Sequence, residues 1–174
     1  MSKPIYNVLV LCTGNSARSI LGEALFNHFG QGRIRAYSAG SQPSGKVNPV
    51  ALETLDMHGV PLPEARSKSW DEFAVPGAPE IDYIFTVCAS AAGETCPVWI
   101  GHPTTAHWGI PDPAHVEPMT ARVEAFEVAY QQLERRVRAF VALPLETMSA
   151  IEVQAAAKQI HEEAEAASKV LSAG

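Results

Sequence analysis

The chain has 174 residues, 47% of them apolar and 18% charged, which is enough for one sizeable core and hardly for two. Its 13 Lys and Arg against 19 Asp and Glu leave a net charge of -6. That excludes the broad positive field of a general nucleic-acid or acidic-membrane binder, so any anionic ligand must be held by a local device. No apolar run approaches the roughly 20 residues of a spanning helix, and the amino-terminal stretch lacks a secretory cleavage pattern, so a soluble, cytoplasmic protein is expected. The three cysteines, Cys12, Cys88 and Cys96, are an odd number in a chain large enough to fold without staples, which argues against a structural disulfide framework.

In chain order, residues 5–11 form a short β-branched apolar run that stops at Cys12-Thr13-Gly14-Asn15, as a buried parallel strand does. A helix follows at once, with Ile20, Leu21, Ala24, Leu25, His28 and Phe29 at three-to-four spacing and Gly30 and Gly32 as its stop. Arg33 to Ala39 alternates like a second strand, and Asn48-Pro49 opens a helix through Met57 that Gly59-Val60-Pro61 terminates. Pro61 to Pro79 reads as an ordered surface loop with a short helix around Trp70 to Phe73. Ile81 to Val87 makes a third strand and Thr104 to Trp108 a short fourth. Pro118 starts a long helix with the seam Val123, Phe126, Tyr130, Leu133, Val137, Phe140. The alternation predicts an α/β three-layer sandwich with a central four-stranded parallel sheet. Beyond Pro144 the composition shifts to Ala, Glu and Lys, and Met148 to Leu171 reads as an amphipathic helix with Ile151, Ile160, Ala164 and Leu171 near one stripe. One domain over 1–145 with a helical extension over 146–174 is expected, the extension packing on the domain or meeting a partner.

The chemistry concentrates in Cys12-Thr13-Gly14-Asn15-Ser16-Ala17-Arg18-Ser19, between the first strand and the first helix. There the backbone N–H groups of Thr13, Gly14, Asn15, Ser16, Ala17 and Arg18 can converge while the helix points its positive end at the same spot, which makes a cradle for a tetrahedral oxyanion. A cysteine at its base is stabilised as thiolate, below the unperturbed pKa of about 8.5. Cys12 is the candidate nucleophile. The Arg18 fork can hold two oxygens of the anion, and Ser19 can donate to the sulfur. An arginine in the first turn opposes the helix dipole and needs an anion nearby, which weighs against a merely structural Cys12 and Arg18.

These residues resemble the low-molecular-weight tyrosine phosphatase family, whose signature is Cys, five residues, Arg, then Ser or Thr near the amino terminus. The resemblance covers about residues 5–141. It implies a general-acid Asp followed by Pro late in the domain, and Asp112-Pro113 fits. The run His107-Trp108-Gly109-Ile110-Pro111-Asp112-Pro113-Ala114 looks like the arsenate reductase branch of this fold. Phosphatases usually carry aromatic residues after Asp-Pro, whereas Ala114 and His115 offer no wall for a substrate ring.

Carried onto this chain, the resemblance implies that Cys12 attacks arsenate, Cys88 attacks the adduct and releases arsenite, and Cys96 takes over the disulfide. Reducing As(V) to As(III) takes two electrons, which a thiol pair supplies as one disulfide. No tightly bound cofactor is expected; the electrons come from thioredoxin or from glutaredoxin and glutathione, with phosphate or sulfate as competing anions. A zinc site from Cys88, Cys96, His102 and His107 lacks a tight Cys-x-x-Cys pair, so no metal is expected. Some relatives hold potassium behind the loop; Asn15 and Glu23 match, but Arg66-Ser67-Lys68-Ser69 has no acid, which leaves the Lys68 ammonium to occupy that place. His28, His58, His115 and His161 read as ordinary surface or edge residues. The rival readings are a tyrosine phosphatase and a non-catalytic oxyanion sensor. A monomer that binds neither nucleic acid nor membrane is expected.

Overall fold

The computed structural model describes residues 5–60, 62, 65–87 and 103–173. Strand β1 (Tyr6–Cys12) pairs on one side with β2 (Ile34–Gly40) and on the other with β3 (Tyr83–Thr86), and β4 (Thr104–His107) lies beyond β3. The sheet order is β2-β1-β3-β4 and every pairing is parallel. β1 is a continuous apolar run because both its faces are covered. Val8, Val10 and Cys12 join the larger core cluster, while Leu9 and Leu11 join the smaller one on the opposite face.

The larger cluster is built with α1 (Arg18–Gly30), α2 (Pro49–Met57), α3 (Met119–Val141) and α4 (Ala150–Ala173). Helix α1 lies close on the sheet because Gly22 has no side chain: a Cβ there would stand 2.9 Å from a Val10 methyl. Helix α2 begins where the sequence predicts, with the Asn48 side chain accepting from the Val50 N–H and Pro49 in the first turn. The aromatic centre of this layer is Phe26, Phe85, Trp108 and Phe140. Phe26 stacks on Trp108 at 5.9 Å and meets Phe140 edge-on at 5.9 Å, contacts worth about 0.5–1.5 kcal/mol each beyond their burial. On the opposite face a 3₁₀ turn at Trp70–Phe73 presses Trp70 and Phe73 onto Leu9, Leu11 and Ile84.

Several expectations shift. β3 is four residues long, where Ile81 to Val87 is predicted. The α3 seam is buried from Phe126 onward, but Val123 is 38% exposed, because residues 119–125 stand clear of the core. On α4 the expected stripe holds at Ala164, which is buried, and at Ile160, which packs on the core, but Ile151 is 79% exposed and Val153 and Ala157 take the inner positions instead. The side chain of Leu171 lies outside the described residues. This phase follows from the position of α4 against β4 and α3. There Gln154 Nε2 donates to the Thr105 carbonyl at 3.0 Å, on the outer side of β4. His161 is no ordinary surface residue. Arg136 Nε donates to its Nδ1 at 3.0 Å, and its Nε2 lies 2.6 Å from Glu165 Oε1. His58 stacks on Tyr130 at 3.9 Å and bonds Glu127 at 2.8 Å.

Candidate active site

Cys12 is the last residue of β1 and is buried, facing Gly40 across the β1–β2 pairing. The loop of residues 13–17 then turns into α1. Its carbonyls are taken from outside: Thr13 O accepts from the Gln42 N–H at 3.0 Å, Gly14 O from Ser44 at 3.0 Å, and Ser16 O from Asn48 at 2.8 Å. Ser67 Oγ adds a second donor to Gly14 O at 3.2 Å. In a trans peptide the N–H points opposite to the preceding carbonyl, so these bonds turn the N–H groups of Gly14, Asn15 and Ala17 to the inner side of the loop. The helix that follows, with no acid in its first turn, aims its positive end at the same place.

Asn15 holds this winding from beneath. It is fully buried at φ 46°, a left-handed conformation that asparagine tolerates better than most residues. Its Oδ1 accepts from the Lys68 N–H at 2.8 Å and its Nδ2 donates to Ser19 Oγ at 2.9 Å. Ser19 is thus an acceptor toward Asn15, and its own hydroxyl hydrogen remains to donate elsewhere. Gly40 allows the close approach of β2: a Cβ there would lie 2.4 Å from Thr13 O and 2.9 Å from Cys12 O. Spacing along the chain gives no role to Gly40 or Ser67, because their importance comes from contacts distant along the chain.

Arg18 is the first residue of α1. Its Nη1 donates to Ile110 O at 2.9 Å and its Nη2 lies 3.5 Å from Asp112 Oδ2, while Nε is buried without a protein acceptor among the described residues. Asp112 is half-exposed; its Oδ1 accepts from the Ala114 N–H at 2.9 Å, and His115 Nε2 stands 3.9 Å from Oδ2. The structure therefore brings together Cys12, Thr13, Gly14, Asn15, Ser16, Ala17, Arg18, Ser19 and Asp112 at the carboxyl edge of the sheet. Cys88, Cys96 and His102 lie outside the described residues. His107 is engaged elsewhere, with Nδ1 2.7 Å from Thr86 Oγ1.

Behind the loop lies a buried pair of charges. Lys68 Nζ is 3.7 Å from Glu23 Oε1 and donates to Arg66 O at 3.0 Å, and Ser38 Oγ donates to the same Glu23 oxygen. Burial pushes the Glu23 carboxyl up; Ser38 and Lys68 pull it back. Burial likewise pushes the Lys68 ammonium down, against the attraction of Glu23. The ammonium sits beside Glu23 and its backbone N–H holds Asn15, so one residue serves both the charge and the shape of the loop floor.

A Cys-to-Arg loop joining the first strand and first helix of a parallel sheet, closed by an Asp-Pro segment from beyond β4, defines the class. The chain belongs to the low molecular weight phosphotyrosine protein phosphatase family, whose model matches residues 7–159. Among its relatives is an arsenate reductase of Shouchella clausii, 31% identical over 141 residues that span 80% of this chain and 96% of that one. A solved arsenate reductase from Archaeoglobus fulgidus is 28% identical, covers 78% of this chain and 99% of its own, and superposes with a TM-score of 0.61. A low molecular weight protein tyrosine phosphatase from T. tengcongensis, 22% identical over 74% of this chain and 92% of its own, shares the fold with a TM-score of 0.61.

Proposed function

We propose that the protein reduces arsenate to arsenite through a thiol relay, with Cys12 as nucleophile. The observation that carries this reading is the loop whose carbonyls are bonded outward, leaving inward N–H groups, a helix end and the Arg18 fork around Cys12. Donors arranged in advance favour both the thiolate and the anion it attacks. The arsenate reductases among its relatives support the choice of anion.

In the first step the Cys12 thiolate attacks arsenic and an arsenic–sulfur bond forms. A hydroxyl of arsenate leaves as water with a proton from Asp112, the acid in reach of Arg18. Arg18 and the loop N–H groups hold the remaining oxygens, and Ser19 stabilises the sulfur. The Cys88 thiolate then attacks the Cys12 sulfur. A sulfur–sulfur bond forms, the electron pair of the arsenic–sulfur bond passes to arsenic, and As(III) leaves as arsenite. Cys96 attacks Cys88, which frees Cys12 and leaves a Cys88–Cys96 disulfide. Thioredoxin, or glutaredoxin with glutathione, returns the two electrons. The assignments of Cys88 and Cys96 rest on their place in the sequence just after β3. Phosphate and sulfate compete for the cradle, and the protein acts as a cytoplasmic monomer without a tightly bound cofactor.

The test is arsenite formation with thioredoxin, its reductase and NADPH, compared with glutaredoxin plus glutathione. Sustained turnover is expected with one of the two, with loss of the first step in Cys12→Ser and of repeated turnover in Cys88→Ser and Cys96→Ser. Full steady-state reduction by Cys96→Ser with thioredoxin as sole reductant would overturn the relay. Fast hydrolysis of an aryl phosphate without any thiol would favour the phosphatase reading that the family allows. Arsenate binding without arsenite formation in excess dithiol would favour a sensor.

A further inference from the structure

Trp108 follows β4 and opens the segment that carries Ile110 and Asp112 to Arg18. On one side the segment is tied to the end of β3, where the Trp108 N–H donates to Thr86 O at 2.7 Å and the Ile110 N–H to Val87 O at 3.1 Å. On the other side the fully buried indole donates from Nε1 to the Ala157 carbonyl of α4 at 2.9 Å. A buried N–H left without an acceptor costs about 1–3 kcal/mol, so this bond constrains where the ring can sit. Helix α4 is a firm support for it. Val153, Ala157 and Ala164 are sealed in the core, Gln154 bonds the outer side of β4, and His161 joins Arg136 of α3. From Ala157 the contacts run through the Trp108 ring and two residues of backbone to Ile110, whose carbonyl receives Arg18 Nη1 at 2.9 Å.

We infer that α4 positions the acid, acting through Trp108, and that Trp108 is a positioning residue for Asp112. The inference rests on the reading that Asp112 protonates the leaving oxygen. Displacing a reacting group by about an ångström can cost up to about 100-fold in rate, so a small relaxation of the segment is measurable.

The experiment is single-turnover arsenite release by the pre-reduced protein, with phosphate affinity measured alongside. Trp108→Phe keeps most of the ring and deletes the N–H; Ala157→Gly leaves Trp108 intact and loosens the carbonyl that receives it. Each is expected to lower the rate about 5- to 10-fold with unchanged phosphate affinity, and Trp108→Phe to change it less than about two-fold in an Asp112→Asn background, because the two changes act on one group. Ile34→Ala, a core truncation at the opposite end of the sheet, controls for a general loss of stability, with the melting temperature of every variant measured, and is expected to keep the wild-type rate. An unchanged rate in Trp108→Phe, an equal loss in the Asp112→Asn background, or an equal loss in Ile34→Ala would each overturn the inference. Wild-type protein that releases no arsenite would sink the reductase reading instead; the same comparison is then made on phenyl phosphate hydrolysis, where the departing phenoxide also needs the acid.

Discussion

Gly40 stands so close to the carbonyls of Thr13 and Cys12 that any side chain there must push on the loop backbone. Gly40→Ala is therefore expected to cost about 1–3 kcal/mol of overpacking and, where that strain falls on the loop, about tenfold or more in phosphate or arsenate affinity, read by calorimetric titration. Asn15 faces the opposite demand: its positive φ would suit glycine, yet its amide makes two buried bonds that glycine would forfeit. The segment from Cys12 to Ser19 was legible in the sequence because a strand, a loop and a helix follow one another without a gap. Gly40, Ser67 and the outward hydrogen bonds of the loop were not, since each depends on a partner more than 20 residues away.

Helix α4 shows where periodicity stops being sufficient. Spacing marks Ile151, Ile160 and Ala164 as one stripe; Ile160 and Ala164 do face the core, but at the start of the helix Val153 and Ala157 are buried and Ile151 is not. Ala157 lies under Trp108, where a larger side chain would hold the helix away, so the small residue marks the contact more reliably than Ile151 does. The same docking favours the neutral form of His161. Burial first, then the Arg136 charge, then His107, push its imidazole below the usual histidine range, while Glu165 and Glu162 oppose them. A histidine whose pKa falls on folding binds protons more tightly when unfolded. Its contribution is complete above the unfolded value of about 6.5 and is lost as the pH drops through that value toward the folded one. Between about pH 7.5 and 5.5 the wild-type unfolding midpoint should fall further than that of His161→Gln, measured by urea titration at each pH; parallel curves would remove His161 from the account.

At the scale of the whole molecule, a net charge of -6 gathers alkali cations without choosing among them, so any preference for one of them would have to come from a built site. The place beside Glu23 already holds the Lys68 ammonium. Turnover is accordingly expected to agree, within the error of the assay, in potassium and sodium salts of equal ionic strength. Strong activation by potassium would show that Lys68 yields its place. Topology brings the remaining parts together: with every strand parallel, the ends of β1 and β4 open on one edge, which is why Asp112, from beyond β4, meets Arg18, just beyond β1.

The Gln154 bond to the outer side of β4 has a consequence for life at high concentration. A four-residue border strand with open backbone groups is a template on which a second copy can extend the sheet, and chains that leave such a border bare tend to polymerise. Here the helix lies along that border, and a glutamine amide occupies the Thr105 carbonyl that a visiting strand would need. The last helix thus covers a border on which a second copy could otherwise extend the sheet.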